Sequence, residues 1–199
     1  MSSGEAHKRP RVVERSLWLI RHAPVAATKG VIHGPNAPAD LSDRDALATL
    51  KAQLPIDCYA VCSPTRRTTE TALALGLDPV KQPEFREQDF GAWTGKSHAE
   101  LAEEPDPAYR DFWIAPADNA PPGGESFANQ INRTKAGLEI LPPGASILVV
   151  HSGTVRAVLA IALDLSPDAA LRFVIDPLSL TRVDLLEGGS RVGQVNWRP

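Results

Sequence analysis

Leu17-Trp18-Leu19-Ile20-Arg21-His22-Ala23-Pro24 runs from an apolar segment directly into a charged pair and then a proline. An apolar run of about four to eight residues with an abrupt stop reads as a buried strand, and Pro24 cannot continue it. Arg21 and His22 therefore stand at the carboxyl end of that strand, where open α/β sheets hold their ligands. The same pattern returns in Ser146-Ile147-Leu148-Val149-Val150-His151-Ser152-Gly153-Thr154, where four apolar residues deliver His151 to a strand end ahead of a glycine and a helix. A third apolar run, Tyr59-Ala60-Val61-Cys62, leads into Ser63-Pro64-Thr65-Arg66-Arg67-Thr68-Thr69-Glu70-Thr71-Ala72 and puts two arginines in the first turn of a helix. Free N–H groups and the helix dipole favour anions there. Two histidines and several guanidinium groups at three strand ends describe a pocket for a phosphate.

Working outward, Pro24 to Ala39 is rich in Gly, Pro and Ala without a hydrophobic period and reads as a loop able to fold over that pocket. Asp40 to Leu54 carries a capping residue ahead of Leu47, Leu50 and Leu54 and reads as an amphipathic helix closing at Pro55. A strand is expected over 57–62, a helix over 65–75 ending at Gly76, and a strand over 80–85. Between Phe90 and Gly124 tryptophan, proline and glycine accumulate, which marks a capping insertion, about 88–125, with short helices near 97–104 and 107–113. A helix from Glu125 to Leu141, another from Thr154 to Leu165, and a hairpin of Leu180–Leu186 with Arg191–Trp197 complete the chain. Strands alternating with helices of this length predict a three-layer α/β/α fold, a mostly parallel sheet with helices on both faces.

The sequence has 199 residues, most economically one domain over 16–199 behind a flexible tail over 1–15. The tail holds His7-Lys8-Arg9-Pro10-Arg11 and reads as a solvated terminus rather than a nucleic-acid arm. The net charge of −3 gives no general reason to bind nucleic acid or an anionic membrane. No apolar run approaches the roughly 20 residues that span a bilayer, and no secretory signal opens the chain, so a cytoplasmic protein is expected. Cys58 and Cys62, four apart in a predicted strand, would lie roughly 13 Å from one another, too far for a disulfide. Metal-binding spacings of the DxD, HExxH or paired Cys/His kind are absent from the sequence, so neither a metal nor a cofactor is expected.

Taken together, Arg21-His22-Ala23, Ser63 to Ala72, Phe85-Arg86-Glu87-Gln88-Asp89-Phe90-Gly91-Ala92-Trp93-Thr94-Gly95 and Val150-His151-Ser152-Gly153 resemble, in this order, the motifs of the histidine phosphatase superfamily, the group that includes cofactor-dependent phosphoglycerate mutases. The resemblance covers roughly residues 16 to 197 and implies the phosphoglycerate mutase-like fold. It also implies roles. His22 would be transiently phosphorylated, with Arg21, Arg67 and His151 holding the phosphoryl oxygens, and the family's Ser-x-x-x-Arg register selects Arg67 over Arg66. Arginine suits this because its planar fork binds phosphate oxygens in pairs. Glu87 would be the general acid and base, and Phe85, Phe90 and Trp93, if they surround it in space, would raise its pKa toward the working pH. The chemistry implied is metal-independent.

The family usually reads Arg-His-Gly-Glu-Thr followed by an asparagine, where this chain has Ala23, Pro24, Val25 and Thr28; its usual His-Gly-Gly is here His151-Ser152-Gly153. Thr28, Gly34 and Ser152 are the expected substrate-binding residues, His33 sits in the loop near them, and His98 is expected on the surface. The insertion offers only Lys96 and Arg110 before Pro121, which disfavours a mutase holding a second anionic group. Asp111 to Ser126 after the Phe-Gly-x-Trp-x-Gly run is similar to the alpha-ribazole phosphatases of cobalamin assembly, and an aromatic, Pro-rich cap suits an apolar base on a ribose phosphate. The partner expected is thus a small-molecule phosphate ester. A broad-specificity sugar or nucleotide phosphatase shares the pattern. A non-catalytic phospho-ligand binding module would have no use for Glu87. The edge of the closing hairpin could pair with a second copy of the chain, giving a homodimer.

Overall fold

The computed structural model describes residues 13–103 and 107–199. Most of the tail expected over 1–15 lies outside the described residues, and Val13 to Arg15 already belong to a strand. In chain order the elements are β1 (Val13–Arg21), α1 (Arg44–Ala52), β2 (Tyr59–Cys62), α2 (Arg66–Ala74), β3 (Val80–Lys81), α3 (His98–Glu103), α4 (Pro107–Ile114), α5 (Phe127–Glu139), β4 (Gly144–Val150), α6 (Ser152–Leu163), α7 (Pro167–Leu171), β5 (Leu180–Leu186) and β6 (Gly189–Trp197). Short 3-10 turns cover Pro83–Phe85 and Gly91–Trp93. The six strands form one mixed sheet in the order β3-β2-β4-β1-β5-β6. Strands β3, β2, β4 and β1 are parallel, and the β5–β6 hairpin adds two antiparallel pairings.

Alternation along β1 builds the three layers. Leu17 and Leu19 pack beneath α5 and α6 with Val61, Leu148, Val150, Leu138, Val155, Val158 and Leu159. Ile20 faces the other way, with Cys62, Ile147 and Val149, against Leu47 and Leu50 of α1 and Ala72 and Leu75 near α2. Successive strand residues point to opposite faces, so one strand feeds two cores. Cys62 fills one of them, and both cysteines are unpaired.

The strand expected over 80–85 stops after two residues. Pro83 has no N–H to give to a ladder, and the chain turns into the 3-10 segment that buries Phe85 against α5. Helices α5 and α6 start at Phe127 and Ser152 rather than at 125 and 154, with the Ser126 hydroxyl capping α5 through the Asn129 N–H. The insertion forms its own small core of Ile32, Trp93, Leu101 and Phe112, to which Phe90 and Tyr109 add. The 24–39 loop is tied to it: Ile32 N–H donates to Lys96 O, Gly95 N–H to Ile32 O, and Val31 bridges Ser97. Among the described residues no helix is long and apolar enough to cross a membrane.

Candidate active site

Register assembles the site. β1 and β4 are parallel neighbours with Arg21 opposite Val150, so the next residues, His22 and His151, leave adjacent strands side by side. The His22 N–H donates to Val150 O at 2.9 Å, and their rings lie edge to face with centroids 5.1 Å apart. β2 pairs with β4 through Cys62 and Val149, which brings Ser63 and the start of α2 to the same sheet edge. Three segments far apart in sequence thus converge on one cavity of about 540 Å³. Arg21, His22, Arg67, Glu87 and Arg156 line it, with the 31–35 loop and Phe90 forming part of its wall.

Hydrogen bonding fixes the state of both imidazoles. His22 Nδ1 lies 2.6 Å from Ala23 O, and a carbonyl only accepts, so Nδ1 carries the proton. Nε2 is then the lone pair, and it accepts from Arg67 Nε at 3.2 Å. Ala23 is held in turn by its N–H bond to Thr71 Oγ1. Arg67 spreads further, Nη1 to Gly34 O at 2.9 Å and Nη2 to His151 Nδ1 at 3.4 Å. An arginine only donates, so His151 carries its proton on Nε2 and donates it to Ser63 Oγ at 2.8 Å. Burial first, then His151 and Arg67, pushes the His22 imidazole well below the usual histidine range; burial, Arg67 and Arg21 do the same to His151. Both rings are neutral at neutral pH.

That neutrality ties stability to pH. An unfolded histidine takes up a proton below about pH 6.5, whereas these two do so only at much lower pH in the fold. The unfolded state therefore binds more protons below that value. Stability is complete above about pH 6.5 and falls on acidification by up to about 1.4 kcal/mol per pH unit for each group. Urea unfolding at several pH values should show a slope that is shallower in His22→Ala; an identical slope in both proteins would contradict the assignment.

Glu87 stands across the cavity at the end of the 83–87 turn. Its Oε1 accepts from Gln88 N–H at 3.1 Å and Gln130 Nε2 at 3.2 Å, and its Oε2 accepts at 3.4 Å from Ser152 Oγ and from Gly153 N–H at the start of α6. Arg133 clamps the backbone of the same turn, donating to the carbonyls of Glu84, Arg86 and Glu87 while paired with Glu125. Of the aromatic enclosure expected for Glu87, only Phe90 lines the same cavity. Phe85 turns into the main core and Trp93 into the insertion core, leaving the carboxyl group in a frame of donors.

A profile of the histidine phosphatase superfamily (branch 1) matches residues 17–198. The chain belongs to the histidine phosphatase superfamily. A bifunctional protein of Mycobacterium tuberculosis is 37% identical over 145 residues, 68% of this chain, and the chain spans only 40% of that protein's length. The adenosylcobalamin/alpha-ribazole phosphatase of Salmonella typhimurium is 27% identical over 201 residues, covering 92% of this chain and 98% of its own. The crystal structure of the alpha-ribazole phosphatase from Shigella flexneri superimposes with a TM-score of 0.82 over 92% of this chain and 96% of its own at 22% identity, a likeness of fold.

In this member of the superfamily the structure brings together Arg21, His22, Arg67, Glu87, Gly34 and Ser152 at one cavity. It separates two others. Thr28 is exposed and does not line the cavity, because the loop runs out to solvent over 26–30 and returns only after Gly30, whose φ of +78° reverses it. His151 is fully buried behind Arg67 and meets the cavity through that guanidinium. Arg66 is exposed and paired with Glu70, as the choice of Arg67 requires. His33 lines the cavity, and so does His98, whose exposed ring takes a 2.9 Å contact from Nδ1 to Tyr109 Oη. Trp93 is buried in the cap, while Trp113 is half exposed beside Tyr109 and Phe112. Among the described residues no group of three or more His, Cys, Asp or Glu side chains could hold a metal ion.

Sequence reading passed over Gln130, Arg133 and Arg156. Arg156 did carry a signal, as the only charged residue of α6. Gly153 is also exacting: a Cβ there would lie 2.2 Å from Glu87 Oε1 and 2.7 Å from Gln130 Oε1. Gly153→Ala should therefore displace the Glu87 carboxyl group. Turnover is expected to fall about 100-fold, the usual effect of a 1 Å misplacement of a reacting group, with the melting temperature near wild type because alanine favours the helix. Unchanged turnover would show that Glu87 is not held where the reaction needs it.

Proposed function

We propose that this chain hydrolyses phosphate monoesters of a small molecule through a phosphohistidine on His22. The observation that carries this reading is the Nδ1–H bond to Ala23 O, which leaves the Nε2 lone pair on the cavity side among guanidinium groups. Nε2 attacks phosphorus, the ester P–O bond breaks, and Glu87 gives its proton to the departing oxygen. Glu87, now a carboxylate, takes a proton from water, the resulting hydroxide attacks phosphorus, and the P–N bond breaks to release inorganic phosphate. Splitting one displacement into two leaves the protein the tasks of positioning and charge stabilisation. No step calls on a metal.

The substrate reading is alpha-ribazole 5'-phosphate. The Salmonella relative, similar along nearly its whole length, supports it. So does the cavity, whose cationic floor faces a wall with Val31, Ile32, Phe90, Phe127 and Leu171. The test is phosphate release from alpha-ribazole 5'-phosphate, 3-phosphoglycerate, sugar phosphates and nucleotides, each with and without EDTA. The ribazole ester is expected to lead, with EDTA without effect. Broad weak release would instead favour a general sugar or nucleotide phosphatase, and loss of activity in EDTA would contradict the metal-free scheme.

A further inference from the structure

We infer that Arg156 is a third phosphoryl-binding arginine of this site, a catalytic residue that donates to the transferring phosphoryl group beside Arg21 and Arg67. Arg156 lies one helical turn beyond Ser152 on α6, so both project from the same face, and both line the cavity. Every other residue of that helix is neutral, and Val155, Ala157, Val158, Leu159 and Ala160 around it are buried. A guanidinium in such a setting needs a reason, since removing it from water is costly unless it is paired.

Packing supplies only part of one. Arg156 Nε donates to Phe173 O at 2.9 Å, and among the described residues Nη1 and Nη2 donate to nothing. The fork is left open towards the cavity. The same 173–179 segment anchors Arg21, whose Nη1 donates to Ile175 O at 2.5 Å and whose Nε is buried without a partner. Two arginines are thus held by carbonyls two residues apart, each with donors to spare. Asn196, in a left-handed conformation with φ +53°, fixes this segment by bonding Asp176 through both ends of its amide. Arg156 lines the cavity with both neighbours and interacts with each: Arg21 feels it as a like charge, and Glu87 opposes the effect of burial on it. An unpaired fork beside Arg21 and Glu87 matches the oxygens of a phosphoryl group, which guanidinium binds in pairs.

The inference rests on the phosphatase reading above, and orthovanadate separates the two. Vanadate reports on the phosphoryl position alone, having no leaving group to contact. Arg156→Met keeps the apolar stem and removes the donors; kcat/KM should fall about 100-fold, the order found on removing one transition-state donor. The inhibition constant for vanadate should rise at least about tenfold with it, and Arg156→Lys should fall between, keeping charge without the fork. A folded Arg156→Met with a wild-type vanadate constant overturns the assignment whatever its turnover, because a donor to the phosphoryl group cannot be removed without weakening vanadate. A wild type that neither turns over nor binds vanadate overturns the phosphatase reading itself, and this one with it. Should the variants fail to fold, a crystal structure of the wild type with vanadate decides: an Arg156 Nη within about 3.2 Å of a vanadate oxygen is expected, and a separation beyond hydrogen-bond distance refutes it.

Discussion

His22→Ala is expected to stop phosphate release, with turnover lowered about 10⁵-fold or more, as when the nucleophile of a covalent mechanism is deleted. The expectation rests on atoms. Nδ1–H is committed to Ala23 O, Thr71 holds Ala23, and Nε2 faces the guanidinium of Arg67. Alanine removes the lone pair and leaves the cations in place, so ester binding should weaken far less than catalysis. Quenching wild type with alkali during turnover of a ³²P-labelled ester should trap label on His22, since phosphohistidine survives base and is lost in acid. Label on another residue, or full turnover in His22→Ala, would sink the mechanism. The fold should tolerate the change, because the side chain lost is a neutral ring and Arg67, which loses its Nε partner, keeps its contacts with Gly34 O and His151 Nδ1.

Glu87→Gln should lower turnover of an alkyl phosphate about 10³-fold, within the usual range for loss of a general acid. The amide is nearly the same size and its oxygen can still accept from Gln88 N–H and Gln130 Nε2, but it loses the bond from Gly153 N–H and has no proton to give to a leaving group. With p-nitrophenyl phosphate, whose leaving phenolate needs no proton, the first step should survive, and a burst of p-nitrophenol should precede a slow release of phosphate. That burst distinguishes loss of the acid from collapse of the site. Equal losses on both esters would remove Glu87 from the role and leave it a structural carboxylate held by Gln130, Ser152 and Gly153.

The sites of these two changes differ in how visible they were. His22 and His151 follow short apolar runs that end abruptly, and Arg67 opens a helix; such signals span fewer than ten residues and survive without any tertiary knowledge. The surroundings of Glu87 do not work that way. Its side-chain and helix-start partners are 43, 65 and 66 residues away in sequence, on α5 and α6, and of the nearby aromatics the fold sends Phe85 and Trp93 into separate cores and leaves only Phe90 on the cavity wall. Thr28 misled for a similar reason: its position in a motif put it near phosphate, while the turn at Gly30 carries it into solvent.

By itself the sequence determined the alternation of strands and helices, the two-sided sheet, and the delivery of His22, Arg67 and His151 to strand ends, because period, turn residues and chain direction are local properties. Only the tertiary structure decided which nitrogen of each histidine bears the proton, that His151 lies behind Arg67, and that Arg156 lines the same cavity. Those outcomes hang on hydrogen bonds and burial across strand register, between groups whose separation along the chain says nothing of their distance in space.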